Sequence, residues 1–372
     1  MDENRQQQAK KYEKIKLTVS ITEGIISFVL LVLFVILGYS KKLEVYSYSF
    51  TSNPYFALII FTLILVIISA VISFPADYFF DFRLEHKFNL SNQTFGKWIS
   101  EKIKGGVIGG TISAPVLFLF YWLLRNYTLW WLYLACFVWV YTVLLAQIAP
   151  VIILPMFYKF KPLNNEGLKE KIIQLCNKTG FKVKGVFSFN MSKNTKKANA
   201  AFTGMGKTKR IILADTLISE FTEDEIETVF AHELGHYKLG HIRKNILLSS
   251  IGTFAGLYII SFLYSMLYPK FGFQNLWDIG ALPVFALIGG ILGFLTSPVG
   301  SAISRKFEYE ADCFAINTTK NFPAFKSTME KLAAQNLSDT KPNKAVEFWF
   351  HSHPSISKRI NAGERCSDAL KT

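Results

Sequence analysis

The sequence predicts a mainly α-helical integral membrane protein: about six transmembrane helices carrying a small polar α+β domain on one face. Three observations carry this. Hydrophobic residues make up 51% of the 372 residues, with 34 Phe among them. The mean hydropathy is +0.26. The apolar residues gather into runs of about 20, the length that crosses the hydrocarbon of a bilayer.

In chain order, residues 1–16 are polar and basic, with Arg5, Lys10, Lys11, Lys14 and Lys16. Apolar spans are expected at about 19–39, 55–76, 106–124 and 128–155, making 1–157 an N-terminal membrane region. A polar connection, 78–104, separates the second span from the third. Pro115, Pro150 and Pro155 are expected to kink or end helices, because a proline withholds a backbone donor. No cleavable signal peptide is expected, since the first apolar run lacks a small-residue cleavage site.

Residues 158–243 form the longest polar segment. It reads as a helix at 165–179, a strand from Lys182 to Phe189, and a β-hairpin of Asn199–Gly204 and Arg210–Ala214 around a Gly-Met-Gly-Lys turn. A membrane hairpin over 244–303 follows, with spans at about 244–268 and 280–303 and with Gly289, Gly290 and Gly293 suited to close helix contact. The tail, 304–372, reads as helical and polar.

Six spans return both termini to one side. Residues 1–16 and 78–104 carry five Lys/Arg each, whereas 40–54 carries two and 125–127 and 269–279 carry one each. The positive-inside rule therefore puts the termini and 158–243 on the cytosolic face. The net charge of +14 reads as attraction to anionic headgroups rather than nucleic-acid binding, for which there is no Lys/Arg block. The four cysteines, at 136, 176, 313 and 366, form no C-x-x-C, and no disulfide framework or cysteine metal site is expected. The chain end is not a C-a-a-X box, so this protein is not expected to be prenylated itself.

The chemistry concentrates in Phe230-Ala231-His232-Glu233-Leu234-Gly235-His236. Histidines four apart lie about 40° apart around a helix and can share one tetrahedral Zn²⁺. Glu233 is placed to take a proton from a water at that metal. Thr222 and Glu225 form a capping box that starts the helix. Two histidines leave one ligand to find. Leu239 and Ile242 stand where the metzincin pattern needs Gly and His. His241, five residues after His236, projects about 140° round the helix and so points elsewhere.

A ligand following the sixth span would return to the side of the zinc helix. There the sequence reads Ser304-Arg305-Lys306-Phe307-Glu308-Tyr309-Glu310-Ala311-Asp312. Glu308 is the expected third ligand, with Asp312, four residues on, orienting a histidine through its other ring nitrogen. Glu310 is the alternative ligand. It lies about 160° round the helix from Glu308, so only one of the two can face the metal.

With these residues in view, the chain resembles the CAAX prenyl protease 1 family of membrane-embedded zinc metalloproteases. The likeness rests on His232-Glu233-Leu234-Gly235-His236 and on Ser304-Arg305-x-x-Glu308-Tyr309-x-Ala311-Asp312. Asn199-Ala200-x-Phe202 followed by Arg210-Ile211-Ile212-Leu213-x-Asp215-Thr216-Leu217 adds to it. So do Glu85-His86-x-Phe88 with Gln93-Thr94, and His353-Pro354 with Arg359. It implies a gluzincin-like domain, membrane helices enclosing a chamber, and one Zn²⁺ on His232, His236 and Glu308 with Glu233 as general base. It further implies a substrate strand laid along Asn199, Ala200 and Phe202, and His353 or Arg359 near the scissile carbonyl. His351 and His86 receive no role.

The expected activity is zinc endoproteolysis of a peptide or protein substrate. The resemblance adds removal of the aaX tripeptide from prenylated C-a-a-X proteins, in a bacterial inner membrane or the endoplasmic reticulum. One rival is a membrane-protein quality-control protease with no prenyl requirement. Another is a transporter or scaffold with a structural zinc, against which the spans show no central charges marking an ion path.

Overall fold

The computed structural model describes residues 2–181, 185–203 and 210–371, with the backbone alone at Phe202 and Thr203. The helices are α1 Glu3–Ile36, α2 Tyr39–Tyr48, α3 Pro54–Asp77, α4 Glu85–Lys87, α5 Phe95–Asn126, α6 Trp130–Ile148, α7 Leu154–Phe157 and α8 Glu166–Lys178. They continue as α9 Asp215–Glu220, α10 Glu223–Lys238, α11 His241–Leu267, α12 Leu282–Thr319, α13 Phe322–Asn336, α14 Lys344–Phe350 and α15 Ile356–Asp368. The strands are β1 Phe160–Pro162, β2 Gly185–Phe189, β3 Ala200–Thr203 and β4 Arg210–Ala214.

Six helical stretches among the described residues are long and apolar enough to cross a membrane: Glu3–Ile36, Pro54–Lys87, Phe95–Asn126, Trp130–Phe157, His241–Phe271 and Ile279–Thr319. The number is the one expected, but most run past the apolar window. The polar start of α1 is helical because it docks on the polar domain. Ala9 and Tyr12 pack on Leu84, Phe88, Leu90 and Leu337. The Tyr12 hydroxyl donates to Glu85, which also accepts from Lys197 Nζ at 2.9 Å. The prolines act in two ways. Pro115 and Pro298 sit inside helices, while Pro150 lies in a π-helical turn, Ala149–Ile153, that leads into α7. A second π turn, Tyr78–Leu84, follows Pro75. Wider turns of this kind absorb the backbone groups that proline leaves unpaired.

The spans bury little against one another. Between none and a third of each apolar window is covered by the rest of the chain. A solid bundle would bury the inward stripe of every helix, so this pattern suits helices standing around an open interior.

The polar domain holds a four-stranded sheet of order β1-β2-β4-β3. The predicted hairpin is present as antiparallel β3 and β4, paired Ala200 to Leu213 and Phe202 to Ile211; its Gly-Met-Gly-Lys turn lies outside the described residues. The sheet is larger than predicted. β2 pairs with β4 in parallel, and β1, unforeseen at three residues, closes the far edge antiparallel to β2. Residues 182–184 of the predicted strand also lie outside the described residues. β2 and β4 pack on α8 and α10 through Val186, Ile211, Leu213, Leu168, Ile172, Ile226 and Phe230.

One expectation is overturned. Cys313 on α12 and Cys366 on α15 form a disulfide. A separation of 53 residues hides this pairing from the sequence. It exists because α15 lies along α12, where Gly363 lets it approach Ile316 and Phe325 so closely that an added Cβ would sit 2.8 Å from each.

Candidate functional site

The site begins with how α10 starts. The Thr222 hydroxyl accepts from Glu225 N–H, and the Glu225 carboxylate accepts from Thr222 N–H at 2.8 Å. Ser327 Oγ and Lys331 Nζ also bond Glu225, at 2.6 and 2.7 Å. Burial alone would raise this carboxyl, but Lys331, Ser327 and the backbone donor outweigh it and hold it below the ordinary range. The box thus ties the start of α10 to α13.

About three turns on, α10 meets α12 at Gly235. A Cβ there would lie 3.1 Å from Ala311 Cα, 3.2 Å from Ala311 O and 3.2 Å from Phe314 Cβ. Glycine is what lets the helices cross at backbone contact. Ala311 lies between Glu308 and Asp312, so this contact brings the two motifs together.

His232 Nε2 lies 3.1 Å from His236 Nε2 and 3.4 Å from Glu308 Oε2, and His236 Nε2 lies 3.3 Å from Glu308 Oε1. A tetrahedral metal with bonds of about 2.0–2.1 Å spaces its ligands about 3.3 Å apart. Glu308 Oε2 is buried and makes no hydrogen bond within the protein; it stands at ion-pair distance from His232 Nε2 and Arg359 Nη1, and two imidazoles with one carboxylate are a donor set that suits zinc. Among the described residues these three form the metal-holding group. The residues therefore fit a metal ion. Glu233, on the same helix, is half-buried, and burial pushes its carboxyl above the ordinary value against the pull of the neighbouring imidazoles.

A buried frame holds the trio. Asp312 Oδ1 lies 2.9 Å from His232 Nδ1, the contact expected of a group that orients a ligand through its second nitrogen. Arg359 grips the same carboxylate through Nε at 2.8 Å and Nη2 at 2.6 Å, and its Nη1 lies 3.3 Å from Glu308 Oε2. Burial would lower the Arg359 guanidinium, but Asp312 and Glu308 keep it firmly charged. The sequence offered Arg359 as an alternative group at the scissile carbonyl. The structure commits two of its three nitrogens to Asp312. His353, the other candidate, is 63% exposed with Nε2 3.5 Å from Glu308 Oε1, so it borders the site from the open side.

Sequence reasoning missed what holds His353 there. Arg305 Nη1 donates to the carbonyls of Glu347 and His351, at 3.0 and 2.7 Å. Glu347 is buried and accepts from Ser355 N–H at 3.1 Å and Lys358 Nζ at 2.6 Å. Arg305 stood inside the quoted motif, but its partners lie more than 40 residues away.

One reading needs correcting. The Gly240 backbone is left-handed, at φ +71. It ends α10, and His241 opens a new helix, so the 140° projection does not apply. His241 turns back on the site, its Nδ1 3.0 Å from His236 Nδ1. Glu310, the alternative ligand, faces away from the trio and binds His241 Nε2 at 2.9 Å. His86 binds the carbonyls of Phe82 and Gln93. On the sheet, β3 is the edge strand. Asn199 is exposed and its carbonyl accepts from Ala214 N–H at 3.0 Å, while Ala200 is half-buried. The side chain of Phe202 lies outside the described residues.

A His-Glu-x-x-His helix crossed by a glutamate from the polar end of a membrane helix defines an integral-membrane metalloprotease. Comparison with known proteins specifies which. Residues 162–366 match peptidase family M48, and residues 1–159 match the family described as CAAX prenyl protease N-terminal, five membrane helices. The chain belongs to peptidase family M48, and it is a multi-pass membrane metalloprotease acting on peptide or protein substrates. It is 30% identical over 366 residues to an uncharacterized metalloprotease, YhfN, of Bacillus subtilis, covering 97% of this chain and 86% of that one. It is 33% identical over 325 residues to CAAX prenyl protease 1 of Saccharomyces cerevisiae, covering 82% and 71%. Its structure resembles the crystal structure of S. mikatae Ste24p with a TM-score of 0.89 at 27% identity, covering 98% of this chain and 90% of that one.

Proposed function

We propose that this chain is a zinc endopeptidase of the CAAX prenyl protease 1 type, working at the cytosolic face of its membrane. It removes the aaX tripeptide from prenylated C-a-a-X chain ends. The observation that carries the proposal is the trio His232, His236 and Glu308, spaced as a tetrahedral ion requires, with Glu233 beside it and one position left for substrate and water. When bound there, zinc would supply a Lewis acid that polarises the scissile carbonyl and acidifies water.

The chain's own residues do the rest. Glu233 takes the proton of the attacking water and passes it to the leaving amine, a role its raised proton affinity suits. His353, at the open side of the trio, donates to the carbonyl oxygen as negative charge develops on it. Arg359 holds the Asp312 carboxylate by two bonds and reaches Glu308, which makes it a positioning residue. The free edge of β3 offers Asn199, Ala200 and Phe202 as a template on which a substrate adds as a further strand, with backbone hydrogen bonds fixing its register. Cytosolic sidedness is supported by the Lys/Arg excess at 1–16 and 78–104.

A second reading keeps the chemistry and drops the prenyl requirement, making the enzyme a quality-control protease of membrane proteins. It is favoured by the Bacillus subtilis relative, which matches across nearly the whole chain. A structural zinc in a transporter or scaffold is disfavoured by the open fourth position.

The test uses detergent-purified protein and one C-a-a-X peptide with and without its farnesyl group. Cleavage of the farnesylated form alone, lost on Glu233→Ala while zinc stays bound, is expected. Equal cleavage of both forms would replace the prenyl reading with the second one. Full activity in Glu233→Ala would overturn the mechanism.

A further inference from the structure

The two histidines of the trio are held differently. His232 meets a carboxylate directly, through Asp312. His236 meets Glu308 through Nε2, on the side of the trio, but among the described residues its Nδ1 faces no carboxylate and instead lies 3.0 Å from His241 Nδ1. The far nitrogen of His241 reaches Glu310 at 2.9 Å. We propose that His241 and Glu310 form a positioning relay that fixes the orientation and tautomer of His236 as a metal ligand. The inference rests on the zinc reading above.

Bond counting fixes the direction of the relay. With His236 Nε2 turned to the trio, its Nδ1 carries the ring hydrogen and donates. His241 Nδ1 then has to accept, so the His241 hydrogen sits on Nε2 and is donated to the Glu310 carboxylate. Each nitrogen has one role, and reversing either ring would leave two lone pairs or two hydrogens face to face. Each histidine of the trio thus answers to one acidic group. Asp312 acts on His232 at first hand, and Glu310 acts on His236 through an imidazole.

The surroundings suit a fixed spacer. His241 is 1% exposed, and its ring lies flat on Phe307 at 4.3 Å with an interplanar angle of 8°. Phe307 precedes Glu308, so the stack registers His241 against the helix that carries the third ligand. The Gly240 turn makes this possible, since only a broken helix returns residue 241 to residue 236. Glu310 is a third exposed and has Lys244 and Lys306 each at 3.9 Å. Its charge is therefore balanced from the solvent side while its oxygen faces inward.

The relay and a packing role rank substitutions in opposite orders. His241→Phe keeps the ring and its stack on Phe307 but cannot accept from His236. His241→Asn loses the stack but places an amide oxygen where Nδ1 was. Zinc affinity is measured by chelator competition on purified full-length protein, alongside the thermal stability of the metal-free form. The relay predicts that His241→Phe binds zinc about 10–100-fold more weakly, the usual cost of losing a partner behind a ligand, with metal-free stability retained. It predicts that His241→Asn recovers most of the affinity, and that Glu310→Ala, at a position one-third exposed, weakens it several-fold.

Zinc affinity in His241→Phe within about twofold of wild type, against that same ten- to hundredfold expectation, would overturn the proposal. So would a His241→Asn protein that binds zinc more weakly than His241→Phe. Failure of the underlying zinc reading looks different: wild type would then bind no zinc, or His232→Ala would still bind it.

Discussion

Gly235→Ala separates two effects of opposite sign at the crossing of α10 and α12. In the helix alone, alanine gains about 1 kcal/mol over glycine. At the crossing, its Cβ meets Ala311 Cα at 3.1 Å, Ala311 O at 3.2 Å and Phe314 Cβ at 3.2 Å. None of these atoms is the end of a flexible side chain, and ordinary carbon contacts are about 3.5–4.0 Å. The helices must therefore part by roughly half an ångström, at a cost of about 1–3 kcal/mol for overpacking. The two terms oppose, leaving a net loss of about 0–2 kcal/mol, so a melting temperature is a poor reporter. Metal affinity is a good one. His232 and His236 ride on α10 and Glu308 on α12, and metal bonds tolerate displacements of only about 0.2 Å. Zinc affinity is expected to fall about tenfold or more, each tenfold being about 1.4 kcal/mol. Chelator competition measures this, with Gly252→Ala as control because nothing lies within 4 Å of its added Cβ. A Gly235→Ala protein that binds zinc as tightly as the control would refute the claim that this crossing sets the site.

Three further outcomes follow from the same geometry. Arg359→Ala leaves the Asp312 carboxylate buried beside His232 without its guanidinium and should destabilise the fold by about 3–5 kcal/mol; thermal unfolding checks it, with Arg359→Lys intermediate because lysine cannot match the two-bond fork. Glu225 has its carboxyl lowered by Lys331, Ser327 and Thr222 against the pull of burial, so its contribution to stability is present above the ordinary glutamate value of about 4.3 and is lost as pH falls through the lowered folded value. The stability gap between wild type and Glu225→Gln should be full near neutrality and shrink on acidification below that range; a pH-independent gap would refute the assignment. Thiol titration of denatured, air-purified protein should find Cys136 and Cys176 before reduction and all four cysteines after it. Four thiols before reduction would refute the bridge.

The residues differ in how much of their role could be read along the chain. His232, Glu233 and His236 were legible because one helix determines their relation, and helical geometry is local. Glu308 was legible at one remove, since the membrane hairpin constrains where residue 304 onward emerges. The six spans were legible from hydropathy, but their ends were not. A helix stops where its backbone groups find other partners, and α1, α5 and α12 find theirs beyond the bilayer. The hairpin of β3 and β4 is a local pairing and was visible, whereas the parallel pairing of β2 with β4 crosses more than 20 residues and was not.

The sequence by itself determined the membrane class, the metal chemistry and the helix that bears it, because these depend on composition and on spacings within one turn or two. Only the tertiary structure decided what stands behind the trio of His232, His236 and Glu308. Arg359 closes on Asp312, Arg305 and Glu347 brace the loop carrying His353, Cys313 meets Cys366, and His241 turns back to His236. The first three are contacts between segments distant in the chain, which no periodicity encodes. The last is only five residues long, but a single left-handed glycine at 240 redirects the chain, and helical projection holds only while the helix is unbroken.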